Sequence, residues 1–354
     1  MKALLRLPMP RPFPPLHLRN FRLLALFGCA LFATNYIAAQ PAVPVLPAAP
    51  TLAAEKKSIN DWLMRMHEAS RNRSYMGTFV VSYGGVMSSA KIWHVCDGTQ
   101  QMERVETLTG APRSIFRHND QVVTFLPEQK VVRSEKRESL GLFPALLQSA
   151  DSRIGEFYKA RQEGRDRVAG VEADIVALIP RDAMRYGYRV WVEQKRGIVV
   201  KLQTLDADGK VLEQAAFSEL LLDAPIKMDK LVQMMGKVEG YKVETLALVK
   251  TTASAEGWAL KTPVAGFQPM SCYKRPEAAP SRGEPMQWIF SDGLASVSIF
   301  AEPFDAERHL KESRMAMGAT QSLTRRVDSY WLTVMGEVPM ATLRLFADGL
   351  ERKK

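Results

Sequence analysis

Outside the amino-terminal leader, the side chains best suited to catalysis or metal binding are His67, His94, His118, His309, Cys96 and Cys272. Their spacing argues against both. No two histidines stand one helical turn apart, and neither cysteine has the partner spacing of a zinc site. His94 and Cys96 alternate along one expected strand and read as ordinary strand side chains. Glu103 and Glu106 sit between basic residues and read as a solvated strand face. There is no Gly-x-Ser-x-Gly elbow and no phosphate-binding glycine loop. A hydrolase would have to assemble Ser, His and acid from distant segments. The pattern predicts a protein that is not an enzyme, with no catalytic residue, metal or cofactor.

The aromatic residues are more informative. Trp62, Phe79, Tyr83, Trp93, Phe125 and Trp191 fall on expected sheet strands or on a helix that packs against them. Each suits an ordinary core, and together they suit an apolar cavity for acyl chains. Burying a 12-carbon chain at ~0.8 kcal/mol per CH₂ gives about 9 kcal/mol. Association costs at least ~4 kcal/mol, which leaves useful but reversible capture.

The elements that would position these residues follow from periodicity. Ser58 with Asp61 forms an N-cap signature, and Ile59, Trp62, Leu63, Met66 and Ala69 recur at helical spacing. From Phe79 the period changes to two. Strands are expected at Phe79–Tyr83 and Ala90–Val95, then at 114–117, 122–126, 131–132, 174–179, 188–193, 199–205 and 211–219. Gly84-Gly85, Asp97-Gly98, Asn119-Asp120 and Asp206–Gly209 mark turns. Leu140–Leu147, interrupted by Pro144, reads as a broken helix or flap. Many short antiparallel strands with one amphipathic helix predict a large curved sheet whose hollow needs a plug.

The amino terminus reads as an export signal over 1–39. Five basic residues without an acid precede the apolar run Leu23–Ala33, and Ile37-Ala38-Ala39 supplies small residues for cleavage. The run is shorter than the roughly 20 residues of a membrane span. Phe27 and the apolar residues beyond Cys29 argue against a lipid anchor at that cysteine. Residues 40–57, rich in Pro and Ala, form a lead-in. Five of the 48 basic residues belong to the signal, which leaves 43 against 38 acids. That balance, with no aromatic-laced basic block, gives no support for nucleic-acid binding. Cys96 and Cys272 fall in different expected domains and read as free thiols rather than a pair, although export makes a disulfide chemically accessible.

The remaining chain divides into 58–222, a connection over 223–245 with a short helix at Met228–Met235, and a smaller α+β domain over 246–350. Strands are expected there at Trp258–Leu260, Gln287–Phe290, Ala295–Phe300 and Trp331–Met335, with a loop at Ala278–Gly283. A terminal helix starts at Glu337-Val338-Pro339 and buries Met340, Leu343, Ala347 and Leu350. Within 289–302, Asp292-Gly293 supplies the positive φ values of a two-residue hairpin turn. Ala295, Val297 and Ile299 fall on one face of its second strand, and Ser296, Ser298 and Phe300 on the other.

The stretch Ser291-Asp292-Gly293-Leu294-Ala295-Ser296-Val297-Ser298-Ile299-Phe300 resembles the carboxy-terminal domain of the MucB/RseB family. Trp62-Leu63 with Asn72–Val80, Arg185–Val192 and Val211–Gln214 resemble its amino-terminal domain, and Val334–Pro339 its final motif. The resemblance covers nearly all of the chain after residue 58. It implies an α+β, mainly antiparallel β protein, with an unclosed amino-terminal β-barrel similar to periplasmic lipoprotein carriers. It further implies a periplasmic regulator of an envelope-stress sigma factor. Such a regulator would bind the periplasmic domain of an RseA/MucA-like anti-sigma factor, shield it from proteolysis and release it on a lipid, lipoprotein or lipopolysaccharide signal. Hairpin 289–302 is expected to contact the partner and 223–243 to act as the hinge. A lipid or lipoprotein carrier without a signalling partner is the alternative, and a homo-oligomer stays open.

Overall fold

The computed structural model describes residues 57–136, 153–275 and 284–353. The expected export signal, all but the last residue of the lead-in, the Leu140–Leu147 segment and the Ala278–Gly283 loop lie outside them.

The chain opens with α1 (Ile59–Asn72), whose Ser58 hydroxyl accepts from the Asp61 N–H while the Asp61 carboxylate accepts from the Ser58 N–H. This reciprocal cap fixes the helix start. All five residues of the expected apolar stripe are buried. Six strands come next: β1 (Tyr75–Tyr83), β2 (Val86–Cys96), β3 (Gln101–Thr107), β4 (Ser114–His118), β5 (Gln121–Leu126) and β6 (Val131–Lys136). Gly84 and Gly85, both at positive φ, close the tight turn between β1 and β2. After α2 (Ile154–Phe157) come β7 (Tyr158–Val168), β8 (Val171–Pro180), β9 (Gly187–Glu193), β10 (Val199–Leu205) and β11 (Val211–Leu222). Then come α3 (Met228–Met235) and β12 (Lys242–Leu246).

These twelve strands form one sheet in the order β12-β6-β5-β4-β3-β2-β1-β11-β10-β9-β8-β7. Every pairing is antiparallel except β12 with β6. The sheet is open, because its edge strands β12 and β7 do not pair with each other. Trp62, Leu63 and Met66 of α1 pack on Val176, Leu178, Val190 and Val192. The β2–β6 part of the sheet carries α3, whose Leu231 and Met235 join Val95, Phe116, Phe125 and Val132. The segment 223–245, expected to connect two domains, is thus applied to the first sheet by a helix and a strand. Its apolar residues Leu231 and Met235 fall on one side of α3, and covering the sheet buries them.

The second part contains β13 (Val249–Lys250), β14 (Trp258–Leu260), β15 (Gln268–Lys274), β16 (Met286–Ser291), β17 (Ser296–Pro303), β18 (Ser313–Met317), β19 (Thr320–Val327), β20 (Tyr330–Gly336), α4 (Met340–Gly349) and β21 (Leu350–Arg352). Seven of the strands form a sheet in the order β13-β15-β16-β17-β20-β19-β18, while β14 pairs with β21. Helix α4 covers one face, where Leu343, Phe346 and Ala347 meet Phe290, Val297, Ile299 and Val334. Pro339 occupies the N-cap position rather than the first helical turn, and Leu350 already belongs to β21.

Candidate functional site

The two sheets meet around a buried charge pair. Asp292 and Arg185 are each 3% exposed. Arg185 lies in the β8–β9 connection of the first sheet, and Asp292 in the β16–β17 turn of the second. Arg185 Nη1 donates to Asp292 Oδ2 at 2.7 Å, its Nε to Asp182 Oδ1 at 3.0 Å, and its Nη2 to the Ala265 carbonyl at 2.8 Å. The guanidinium stands 4.6 Å from the Phe157 ring centre and 5.2 Å from that of Phe267. On the other side Asp292 Oδ1 accepts from the Leu294 and Ala295 N–H groups at 2.9 and 2.7 Å, and Tyr158 OH donates to Oδ2 at 3.2 Å. Burial pushes the Asp292 carboxyl up, against the two amides, Arg185 and Tyr158.

This geometry changes the reading of the Asp-Gly turn. Gly293 alone takes a positive φ, +98°. Asp292 instead folds its carboxylate over the next two amides and turns its other oxygen to the first sheet. Both partners fall inside motifs that carry the family resemblance, yet turn propensity explains Asp292 without a partner, and a lone arginine carries no signal of burial. Two further contacts join the halves: Thr342 Oγ1 donates to the Met184 carbonyl at 2.7 Å, and the Ala319 N–H donates to Glu213 Oε2 at 3.4 Å.

The face of the second sheet opposite α4 carries two side-chain rows that cross five strands. One is Ile289, Ser298, Met335, Ser322 and Met315; the other is Gln287, Phe300, Thr333, Thr324 and Ser313. All ten side chains are half-buried or exposed, and among the described residues no helix packs on them. Hydroxyls interspersed with Ile289, Phe300, Met315 and Met335 make a flat, mixed surface.

The six aromatic candidates are spread over several apolar clusters. Trp62 is buried beneath α1. Phe79 and Trp191 belong to a neighbouring cluster with Tyr75, Ile92 and Phe217, where Trp191 Nε1 donates to Asp166 Oδ2 at 3.1 Å. Trp93 and Phe125 lie under α3. Tyr83 stands at the end of β1, against Gly318 of the β18–β19 turn.

The structure corrects the reading of Glu103. It is buried rather than solvated, and its Oε1 meets His94 Nδ1 at 2.8 Å directly across β2 and β3. Glu106 is half-buried and pairs with Arg104 at 2.7 Å. The His94 ring, 2% exposed, stacks on Tyr75 with centroids 4.9 Å apart and planes 18° apart. Burial alone would lower the His94 pKa. Hydrogen bonding to the Cys96 sulfur and the Glu103 carboxylate outweighs it and raises the value to about 9. Among the described residues, no group of three or more His, Cys, Asp or Glu is placed to hold a metal ion.

Comparison with known proteins places this architecture. A family model for the MucB/RseB N-terminal domain matches residues 58–235, and one for the MucB/RseB C-terminal domain matches 252–351. The sigma factor AlgU regulatory protein MucB of Pseudomonas aeruginosa is 28% identical over 302 residues, 82% of this chain and 90% of that protein. The sigma-E factor regulatory protein RseB of Escherichia coli is 22% identical over 293 residues, 82% of this chain and 89% of that protein. The crystal structure of MucB in complex with MucA(peri) matches with a TM-score of 0.63 at 26% identity, covering 83% of this chain and 98% of that one.

Proposed function

This chain belongs to the MucB/RseB family, and from that premise we propose that it is a periplasmic negative regulator of an envelope-stress sigma factor. It binds the periplasmic segment of a membrane-spanning anti-sigma factor and protects that segment from regulated proteolysis. The complexes of MucB with MucA support a partner of this kind. The observation that carries the reading is the face of the second sheet on which, among the described residues, no helix packs; hairpin 289–302 helps to build it, and the turn of that hairpin is bolted to the first sheet through Asp292 and Arg185.

An acyl chain of a lipid, a lipoprotein or lipopolysaccharide, taken up by the first sheet, is the releasing signal. It acts by binding the released state more tightly than the gripping state, since equal affinity would shift nothing. The junction is where such a preference reaches the second sheet, because both elements end there. The applied segment 223–245 stays with the first sheet, so the junction rather than that segment is the moving part.

The test is a calorimetric titration of the full chain with a synthetic anti-sigma periplasmic peptide, repeated for Phe300→Asp and Met335→Lys. Both side chains are half-buried on that face, and both variants are expected to fold, as checked by circular dichroism. At least tenfold weaker binding is expected for each. Unchanged affinity in both variants removes the open face as the docking surface, and no binding by the parent chain removes the partner.

A further inference from the structure

The open face of the second sheet owes its apolar character to four side chains, Ile289, Phe300, Met315 and Met335, and two of the four are thioethers. Met317 continues the same side along β18, because side chains two residues apart on a strand share a face. Met315 is 56% exposed and Met317 52%, on a strand that forms the edge of its sheet. Met335 is half-buried two strands in, with only the small Ser322 between it and Met315. Met66, Met102 and Met286, by contrast, are buried in the cores. Met64 on α1 and Met87 on β2 are exposed too, but both belong to the first sheet and lie off this face.

Among apolar side chains the thioether is the one that a peroxide converts into a polar group, a sulfoxide. Ile289 and Phe300 cannot change in this way. A partner that covers the face desolvates its thioethers as apolar surface. After oxidation it would have to bury sulfoxide oxygens, which is costly unless each finds a donor. We propose that Met315, Met317 and Met335 form an oxidant-sensitive modification site, and that their conversion to sulfoxides by a peroxide loosens the protein partner from this face. The proposal rests on the reading of this face as the partner surface. In each conversion a sulfur lone pair attacks one oxygen of H–O–O–H. The S–O bond forms as the O–O bond breaks, and the other oxygen leaves as hydroxide with the electron pair of that bond. The hydroxide takes the proton of the transferred oxygen and becomes water. The sulfur is oxidised, the peroxide is reduced, and nothing else is consumed.

The test treats the full chain with hydrogen peroxide, removes the peroxide, titrates a synthetic anti-sigma periplasmic peptide and maps the oxidised residues by mass spectrometry. Met315 and Met317 are expected to oxidise roughly tenfold or more faster than Met66 and Met102, with Met335 between the two groups. Affinity is expected to fall roughly tenfold or more once all three are oxidised. Each chain is compared with its own untreated form, so a difference in starting affinity drops out. Met315→Leu combined with Met317→Leu and Met335→Leu is expected to bind equally before and after peroxide. Met64→Leu combined with Met87→Leu is expected to lose affinity as the parent does. The proposal is overturned if the parent binds equally well with the three methionines oxidised, if the triply substituted chain loses as much as the parent, or if oxidation spares all three. A parent that does not bind even before treatment removes the docking reading and this proposal with it, so the two failures are told apart.

Discussion

Arg185 takes its charge into the interior with all three nitrogens hydrogen-bonded, so its carboxylate partner is costly to remove. Asp292→Asn leaves the buried cation with Asp182 as its remaining carboxylate partner, so the loss is expected at or below the roughly 3–5 kcal/mol of a buried pair broken from one side. Replacing both, as Arg185→Met with Asp292→Leu, is expected to cost clearly less than the two single changes combined. Urea denaturation of the four chains checks this, and additive losses would mean that the two residues act separately. His94 carries a second prediction. Its pKa rises from 6.5 to about 9 on folding, so the folded state holds the proton more tightly. The resulting stability is full below pH 6.5 and is lost as pH rises through 9. The difference corresponds to about 3 kcal/mol at most. Melting temperature measured from pH 6 to 9.5 is expected to fall more steeply in the parent chain than in Glu103→Gln. Neither pairing is legible in the sequence. A carboxylate among bases looks solvated until the strand opposite it is known, and the His94–Glu103 pairing depends on the register of β2 with β3.

At the scale of elements, legibility tracks burial. Helix α1 carries a cap and an apolar stripe, so its span and its buried residues can be read directly. Among the strands that run through cores, β17 alternates visibly, while β8 and β9 are buried over most of their length and read as strands from their apolar runs. Strands β7 and β18 escape a reading by periodicity because each is the exposed edge of its sheet. In Lys159–Arg167 every second residue is charged with Ala160, Gln162, Gly164 and Asp166 between, so no apolar row marks the strand, and every residue of β18 is exposed. The parallel pairing of β12 with β6 is equally hidden, since no local pattern announces a strand that returns to a distant edge. The β18–β19 turn gives the prediction proper to this scale. Gly318 has φ +62°, and a Cβ there would run into the Glu213 carboxylate and Tyr83 of the first sheet. Gly318→Val is expected to loosen the hairpin from the first sheet, seen as faster proteolytic cleavage in 305–320 and a lower melting temperature. Gly110→Val bears a comparable φ of +77° with open space around it and reports backbone strain alone. Equal behaviour of the two variants would show that the Gly318 contact contributes nothing to docking.

For the whole molecule, the antiparallel architecture and a hairpin recognisable as a family motif are written in the sequence. The way the halves meet is not. That meeting depends on four residues from separate segments, Tyr158, Arg185, Ala265 and Asp292, brought together only by the finished fold. The same dispersal explains the aromatic candidates. Trp62, Phe79 and Phe125 are each buried as their type suggests, but in three different clusters, because aromatic residues mark burial without saying in which core. The two sheets are joined by a buried lock. In the proposed mechanism one sheet takes a ligand and the other grips a partner, so each must sense the other through that lock. This claim is tested most directly by the affinity of the full chain for an anti-sigma periplasmic peptide, measured with and without lipid A. A fall of tenfold or more on adding lipid A is the predicted result, and an affinity indifferent to lipid A would contradict it.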